Sequence, residues 1–437
     1  MKNRIIALVF LLMFLLSLCA CNPYKEPVDE TKESSQLQTE PEEFEGYNRI
    51  DSSLFDFSTG LYTEAELTKG YESLETDAQR ECYRLLEKNV YYISEDADAS
   101  EYHIKPVTLK KAKLSEAELH LVISAFAFDN PQVFWIDSSF SYYATSAELY
   151  LQLASIMSAQ QVVEASGEMY SKLRGIFSEL PANLSQFDRE LFVHDKLIEV
   201  CEYADDEVLS EDDVRVYTSL GAIVDGVAVC EGYSRATQLM LSLVGIESYY
   251  VYGRGNNELH MWNSVCLDDD WYYLDVTWDD NGEEASYKHF NITTEQLLSN
   301  RSILPLYSEL KEEEIVGENS MALNFNLYVP NCSSDYMSFY SYSAVTVTGF
   351  DEENLGNIAQ AMADAVNSNK DAVYLYIDPY YLDFEYASDN LFYSGDYAIF
   401  SCIERANEML VNDTISNEYV STEESAEQYM ITVYIEY

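Results

Sequence analysis

Three residues in the middle of the chain have the types and the order of a thiol-based active site: Cys230, His260 and Asp275. A thiol is a good nucleophile only as a thiolate, and a helix N-terminus together with a nearby imidazolium favours that form. Cys230 opens a stretch with helical periodicity, whereas His260 and Asp275 lie in strand-like runs further along the chain. Since a carboxylate can orient an imidazole, this order and this compact spacing indicate a cysteine triad.

None of the three residues is specific alone. A free cysteine is commonly a small buried hydrophobe, and a single histidine often has only a structural role. The joint spacing is more specific, because the 30-residue step from Cys230 to His260 leaves room for a helix, a strand and a loop, and the 15-residue step to Asp275 fits one hairpin. Gly232, close to the cysteine, would let a backbone or a substrate approach.

The hydrophobic pattern predicts the elements that position these residues. His260 and Asp275 both lie on one predicted hairpin, where cross-strand pairing places side chains next to each other. Gly245 is expected to close the helix that begins at Cys230. The expected elements are a helix over Cys230–Leu243, strands over Glu247–Tyr252, His260–Leu267 and Trp271–Val276, and a turn at Asp268–Asp270 between the last two strands.

The remaining sequence predicts an α+β protein of several domains, since 437 residues exceed one ordinary core. Residues 48–184 are interpreted as a mainly helical N-terminal domain, in which Ser115 with Glu118 resembles a capping box. Residues 185–310 would form the core that carries the triad. Residues 318–437 alternate strand and helix signals, which favours a small α+β domain of unknown role and, by element order, a ferredoxin-like topology.

The N-terminus has the pattern of an export signal. Two basic residues precede Ile5–Leu18, an apolar run that is too short for a comfortable membrane span. The run ends in Leu18-Cys19-Ala20-Cys21, which resembles a bacterial lipobox and predicts a signal peptide over residues 1–20 with lipidation of Cys21. An ordinary secretory signal is the alternative. Residues 21–47 are acidic and contain prolines, which is typical of a disordered tether.

The composition limits the partners and cofactors. The formal net charge of −52 argues against nucleic acid and against an anionic membrane surface, because phosphates would be repelled. It favours basic peptides or cationic groups as substrates, although acidity also keeps an exported protein soluble. No Cys-x-x-Cys pair is present, so a zinc site has no support and no cofactor is predicted. The acidic turns Asp96–Asp98 and Asp279–Gly282 lack EF-hand spacing, so solvated turns explain them better than calcium sites.

Three runs carry a more specific resemblance: Gly226–Ser234 around the cysteine, His260–Asn263, and Trp271–Asp280 around the aspartate. Together they resemble the core of the transglutaminase-like superfamily, over about residues 186–295 and in the form of its bacterial exported members. The resemblance implies a papain-like arrangement in which a nucleophile helix packs on an antiparallel sheet.

The resemblance assigns Cys230 as nucleophile, His260 as base and then acid, and Asp275 as the orienting carboxylate. It implies a thiol-dependent acyl-transfer enzyme, of the transglutaminase or cysteine peptidase type, that acts on peptide amide bonds. With the predicted lipid anchor, the enzyme would be held on the extracellular face of a bacterial cytoplasmic membrane and would meet a protein or peptide substrate there. A catalytically idle binding or scaffold module on the cell surface is the alternative.

Aromatic residues next to the triad are the candidate substrate-binding residues: Trp262, Trp278 and Tyr233. The two tryptophans would form apolar walls that exclude water and strengthen charge interactions, and ordinary core packing would explain them equally well. Several acidic residues also lie near the triad in the sequence. They oppose a thiolate but favour an imidazolium. We therefore expect a thiolate–imidazolium pair to persist, with help from the helix dipole at Cys230.

Overall fold

The computed structural model describes residues 46–94, 102–111, 113–204, 214–282, 285–316, 324–368, 370–393, 397–416, 420–426 and 429–437. The predicted signal peptide with Cys21, nearly all of the tether and the Asp96–Asp98 turn lie outside the described residues. Among the helices that are described, none is long and apolar enough to cross a membrane.

The chain divides into two compact units, with the boundary after Ser333. This boundary falls later than residue 318, where the sequence predicts the C-terminal domain to begin. The reason is the segment around Asn326, whose side chain accepts a hydrogen bond from the Tyr252 N–H at 2.8 Å and donates to the Leu304 carbonyl at 2.7 Å. These residues therefore belong to the first unit, together with the triad.

The first unit is built from short strands and mostly short helices. Its strands are β1 (Tyr47–Arg49), β2 (Tyr92–Ser94), β3 (Tyr102–His103), β4 (Val107–Lys110), β5 (Ile136–Ala144), β6 (Glu148–Ser155), β7 (Glu202–Tyr203), β8 (Val227–Ala228), β9 (Ser248–Gly255), β10 (Glu258–Leu267), β11 (Asp270–Leu274) and β12 (Arg301–Ile303). Its α-helices are α1 (Lys69–Glu72), α2 (Asp77–Asn89), α3 (Glu116–Asp129), α4 (Ala159–Phe177), α5 (Gln186–Val200), α6 (Cys230–Leu243), α7 (Val276–Asp279), α8 (Thr294–Leu298) and α9 (Glu312–Ile315).

The sheet that carries His260 has four antiparallel strands in the order β11-β10-β9-β12. Strands β10 and β11 form the predicted hairpin, and Asp268 and Asp269 adopt positive φ angles of 47° and 70° in its turn. Strand β11 ends at Leu274, so Asp275 lies just beyond the strand that the sequence predicts for it. Asp275 is instead the N-cap of α7, where its side chain accepts the Trp278 N–H.

Helix α6 confirms the prediction for the nucleophile segment, since it runs from Cys230 to Leu243. Gly245 follows it with a φ of +76°, a conformation that suits glycine. The helix is buried along most of its length and packs on β9 and β10. A fixed helix of this kind holds its first residue at a defined place above the sheet.

Residues 46–184 are more mixed than the mainly helical segment that the sequence predicts. A second sheet, in which β6 pairs with β3, β4 and β5, lies in this region. Residues of β6 alternate between buried and half-buried, which is the two-residue period of a strand with one face in the core. The capping box of Ser115 and Glu118 is confirmed at the start of α3. This helix packs against the sheet that carries His260, because Phe128 stacks on Tyr249 of β9 with ring centroids 4.8 Å apart.

The second unit has a four-stranded sheet in the order β13-β14-β16-β15, with β13 parallel to β14 and the other pairs antiparallel. A ferredoxin-like topology is wrong for this unit, because β13 and β14 are direct neighbours and no strand is inserted between them. Its elements are α10 (Phe339–Ser343), β13 (Val345–Val347), α11 (Glu352–Asn367), β14 (Ala372–Ile377), α12 (Phe384–Ser388), α13 (Ala398–Met409), β15 (Val420–Ser425) and β16 (Met430–Ile435).

Candidate active site

Cys230 is the first residue of α6, and its side chain is half-buried. The first N–H groups of a helix have no partner within the helix, and Val229, the N-cap, makes no side-chain cap. The helix dipole adds partial positive charge at this end. The position therefore favours a thiolate and offers backbone donors to a substrate oxygen that becomes negatively charged.

His260 and Asp275 form a buried pair next to this cysteine. Nε2 of His260 lies 2.8 Å from Oδ2 of Asp275, and the two residues are 8% and 1% exposed. Cys230 lies close enough to His260 to contribute to the raised pKa of the imidazole. The structure thus brings together the three residues that the sequence selects, and their catalytic roles remain a prediction.

The surroundings of the pair favour opposite charges on its two members. Burial by itself lowers the pKa of His260, but the Asp275 carboxylate and Cys230 raise the pKa to about 10. Burial likewise raises the pKa of Asp275, but the charges of His260 and Arg301 hold that pKa at about 2. Both shifts favour an imidazolium beside a carboxylate, which is the state that can give a proton to a leaving amine.

Arg301 on β12 is a third charged group in the site. Its Nη2 donates to Oδ2 of Asp275 at 2.6 Å, so this one oxygen accepts from both His260 and Arg301. The arginine side chain is completely buried. The sequence pattern does not single out this residue, and its one signal is an arginine at the start of a strand-like run in a chain with few basic residues.

Two glycines of β9 make room for aromatic rings between His260 and Arg301. In the sheet register, Gly253 lies opposite His260, and Gly255 lies opposite Arg301. A Cβ at Gly253 would be 2.1 Å from the Trp262 ring, and one at Gly255 would be 2.5 Å from the Trp278 ring. A Cβ at Gly253 would also be 2.3 Å from the Ser302 backbone carbonyl oxygen, so this position requires glycine, whereas a Cβ at Gly255 would displace the Trp278 indole.

The three predicted substrate-binding residues lie in different surroundings. Trp278 is half-buried and stacks on His260, with ring centroids 5.2 Å apart. Trp262 is fully buried beneath the site. Tyr233 is also buried, and its hydroxyl donates to Asp280 Oδ2 at 2.6 Å. For Trp262 and Tyr233, burial therefore supports a structural role, whereas direct contact with a substrate remains a prediction for Trp278.

Two tyrosines that no sequence motif singles out, Tyr203 and Tyr252, also lie near the thiol. Burial and then neighbouring charges, Cys230 among them, raise the pKa values of Tyr203 and Tyr252. Tyr203 belongs to β7 and pairs with Ala228, two residues before the cysteine. Tyr203 is 51% exposed, so part of its side chain is accessible to solvent near the thiol. No local sequence pattern indicates this position, because it depends on the pairing of two very short strands.

Several acidic residues near the triad have partners of their own. Glu231 binds Arg235 one turn along α6 at 2.8 Å. Asp225 binds Arg215 at 2.5 Å. Asp280 accepts the hydroxyl of Tyr233. Since these charges are locally compensated, they oppose a thiolate less than their number in the sequence indicates.

A second buried polar network lies behind α7. Asp279, the last residue of α7, binds His289 Nδ1 at 3.1 Å and lies 3.4 Å from His194 Nε2. His194 also binds Asp195, its neighbour on α5. The network fixes the helix whose N-cap is Asp275. Among the described residues, no group of three or more His, Cys, Asp or Glu side chains could hold a metal ion.

Cys230 is thus a half-buried residue at a helix N-terminus, next to the buried pair of His260 on β10 and Asp275 just after β11. A papain-like thiol site would use residues of these types in this arrangement. Residues 179–276 match the family model described as the transglutaminase-like superfamily. Residues 179–276 of the chain therefore carry a transglutaminase-like core. The matched residues include Cys230, His260 and Asp275, but Arg301 lies beyond them.

Two solved structures are similar to parts of the chain. One is the crystal structure of a TGase, with 12% sequence identity and a TM-score of 0.25, and the match covers 44% of this chain and 55% of the other. The second is a protein from Cytophaga hutchinsonii described as a candidate cysteine protease, with 11% identity and a TM-score of 0.22. This match covers 38% of this chain and 65% of the other. The chain thus spans less than two thirds of each structure. No curated protein sequence matches it.

Proposed function

We propose that this protein is a thiol-dependent acyl-transfer enzyme that acts on peptide amide bonds through Cys230, His260 and Asp275. The observation that carries the proposal is the buried His260–Asp275 pair, 2.8 Å between Nε2 and Oδ2, beside a cysteine at the N-terminus of α6. The transglutaminase-like core supports the same reaction type.

In the proposed reaction, the Cys230 thiolate attacks the carbonyl carbon of an amide. N–H groups at the start of α6 stabilise the negative oxygen of the tetrahedral intermediate. The C–N bond then breaks, and the leaving amine takes its proton from the His260 imidazolium, which leaves a thioester on the sulfur. A second amine, or water, attacks the thioester and gives a proton back to His260, while sulfur leaves as thiolate. An amine acceptor gives crosslinking and a water acceptor gives hydrolysis.

Aromatic side chains at the mouth of the site are the proposed substrate contacts. Tyr203 is half-exposed near the thiol, and Trp278 covers one face of His260. A wall of this kind limits the access of water to the imidazolium and strengthens its interaction with Asp275. Trp262 and Tyr233 support this wall from within the core.

The decisive experiment is incubation with a glutamine peptide and a labelled primary amine, followed by mass spectrometry. Incorporation of the amine identifies a transglutaminase, and cleavage without incorporation identifies a peptidase. Both products should disappear in Cys230→Ala and persist in Cys266→Ala, since Cys266 is the other half-buried thiol of the described residues. Absence of both products across a panel of peptides would favour the idle binding module instead.

We also propose that the enzyme is exported and anchored through Cys21 on the extracellular face of the membrane. The basic, apolar and lipobox-like segments of the N-terminus support this location. Metabolic labelling with an alkyne-bearing fatty acid tests it. The label should be lost in Cys21→Ser and retained in Cys19→Ser, whereas an unlabelled parent protein in the medium would indicate an ordinary secretory signal.

A further inference from the structure

Arg301 takes no direct part in the bond-making and bond-breaking steps of the proposed reaction. It lies on the edge strand β12, outside the residues that match the family model, and its side chain is completely buried. Burial of an arginine is costly unless the charge is paired. Its partner is the same Asp275 oxygen that His260 binds, with distances of 2.6 Å from Arg301 and 2.8 Å from His260.

Contacts with Trp278 and Asn300 fix the orientation of the planar guanidinium group of Arg301. Its central carbon lies 3.6 Å from the centroid of the Trp278 ring, and Nη1 donates to Asn300 Oδ1 at 2.9 Å. Gly255, opposite Arg301 in the sheet, leaves the space that Trp278 fills. The position is therefore built for a planar cation rather than for any buried side chain.

The balance of charges in the site indicates what Arg301 contributes as a second cation beside His260. With Cys230 as thiolate, the site holds two negative groups, Cys230 and Asp275, and two positive groups, His260 and Arg301. When His260 gives its proton to a leaving amine, Asp275 would face a neutral imidazole if Arg301 were absent. A buried carboxylate without a cation is strongly unfavourable. Arg301 keeps the carboxylate paired through that step and makes His260 a stronger acid.

We propose that Arg301 is a positioning residue that fixes the Asp275 carboxylate and assists proton donation by His260. This inference rests on the proposed acyl-transfer function. The inference concerns the effect of Arg301 on the His260–Asp275 pair, so it can be tested without a substrate.

Other charged or titratable groups also lie around the pair, but they do not replace Arg301. His289 lies near Asp275, and its Nδ1 is bound to Asp279. After burial, Cys230 and Asp275 both contribute to the raised pKa of Tyr203. The groups that face the pair are Cys230 on α6, His289 after α7, Arg301 on β12 and Tyr203 on β7, and Glu258 on β10 acts on Tyr203.

The test is an NMR titration of the His260 imidazole in a Cys230→Ala background, so that no thiol titrates beside it. Arg301→Gln keeps a hydrogen-bond donor but removes the charge, and Arg301→Lys keeps the charge. Arg301→Gln should move the midpoint of His260 upward by about one pH unit, because a nearby cation no longer opposes the imidazolium. Arg301→Lys and the control Arg254→Gln, on the neighbouring strand, should leave the midpoint near that of the parent.

Kinetics of the otherwise unmodified enzyme supply the second readout. Arg301→Gln should lower kcat about tenfold with little change in KM, and Arg301→Lys should recover part of the loss. An unchanged His260 midpoint in a folded Arg301→Gln protein would overturn the inference, even if acyl transfer is observed. A shifted midpoint without any acyl transfer by the parent would instead reject the proposed function and leave the role of Arg301 at the pair intact.

Discussion

The indole of Trp278 is stacked on the imidazole of His260, with ring centroids 5.2 Å apart and planes inclined by 25°. The same indole receives the guanidinium of Arg301 at 3.6 Å. Two cations therefore share one aromatic ring as well as one carboxylate oxygen, that of Asp275. Since cation–π attraction strengthens when the partners are desolvated, this ring stabilises the charged form of the site.

Replacement of Trp278 by leucine should lower acyl transfer about tenfold, because the loss of a desolvated cation–π contact is worth on the order of 1–2 kcal/mol. Trp271→Leu is the matched control, since Trp271 packs against Tyr328 on the same sheet and makes no ring contact with His260 among the described residues. Rates measured with an amide substrate, alongside thermal unfolding, separate the two effects. An equal loss of rate in both variants would mean that Trp278 acts only through folding.

Gly255→Ala should impair the site through Trp278. The added Cβ would be 2.5 Å from that ring, so the indole must move away from His260 and Arg301. We expect a loss of activity that exceeds the loss of thermal stability. Gly167→Ala, in α4, is the control, because a Cβ there meets nothing within 4 Å and should stabilise the helix by up to about 1 kcal/mol. Full activity in Gly255→Ala would show that the position of Trp278 is unimportant.

The nucleophile helix and the hairpin could be predicted from the sequence because their signals are local. Helical periodicity after Cys230 and two strand-like runs around Asp268–Asp270 specify these elements without knowledge of the fold. The hydrophobic pattern predicts Asp275 inside a strand, whereas β11 ends at Leu274. The reason is that Asp275 caps a helix, and this role depends on a hydrogen bond from the Trp278 N–H, three residues later. Arg301 could not be predicted in its role, since its contact with Asp275 depends on the pairing of β12 with β9.

Asp275→Asn should reduce acyl transfer strongly while the fold persists. The amide is similar in shape but cannot stabilise the imidazolium or pair with Arg301 as a carboxylate does. In the serine-protease triad, the equivalent change costs on the order of 10⁴-fold in kcat. We expect a loss of at least 10²-fold here, measured as kcat, together with a lower midpoint for the titration of His260. A His260 midpoint that stays the same would contradict the charged pair.

Glu190 on α5 should make the stability of the protein depend on pH. Burial raises its pKa to about 8, although Asn291 and His194 favour the charged form. A carboxyl with a raised pKa stabilises the fold fully below its unfolded value of about 4.3, and this contribution is lost as the pH rises through about 8. Between these values stability should fall by up to about 1.4 kcal/mol per pH unit.

Glu190→Gln removes that ionisation and can still accept the hydrogen bond from Asn291. The variant should therefore gain stability over the parent as the pH is raised from 5 to 8, as measured by chemical denaturation. Glu199→Gln, an exposed position on the same helix, should show no such trend. A constant difference between Glu190→Gln and the parent across this range would argue that the carboxyl does not titrate there.

The central claim, a nucleophilic Cys230 poised by His260, is tested most directly by site-resolved alkylation with iodoacetamide at pH 6. Cys230 and Cys266 are both half-buried, but burial and nearby acids raise the pKa of Cys266 to about 11, which keeps it a thiol. The structure predicts that Cys230 reacts at least ten times faster than Cys266, and that His260→Gln removes this advantage. Equal rates for the two thiols in the parent protein would contradict a poised nucleophile.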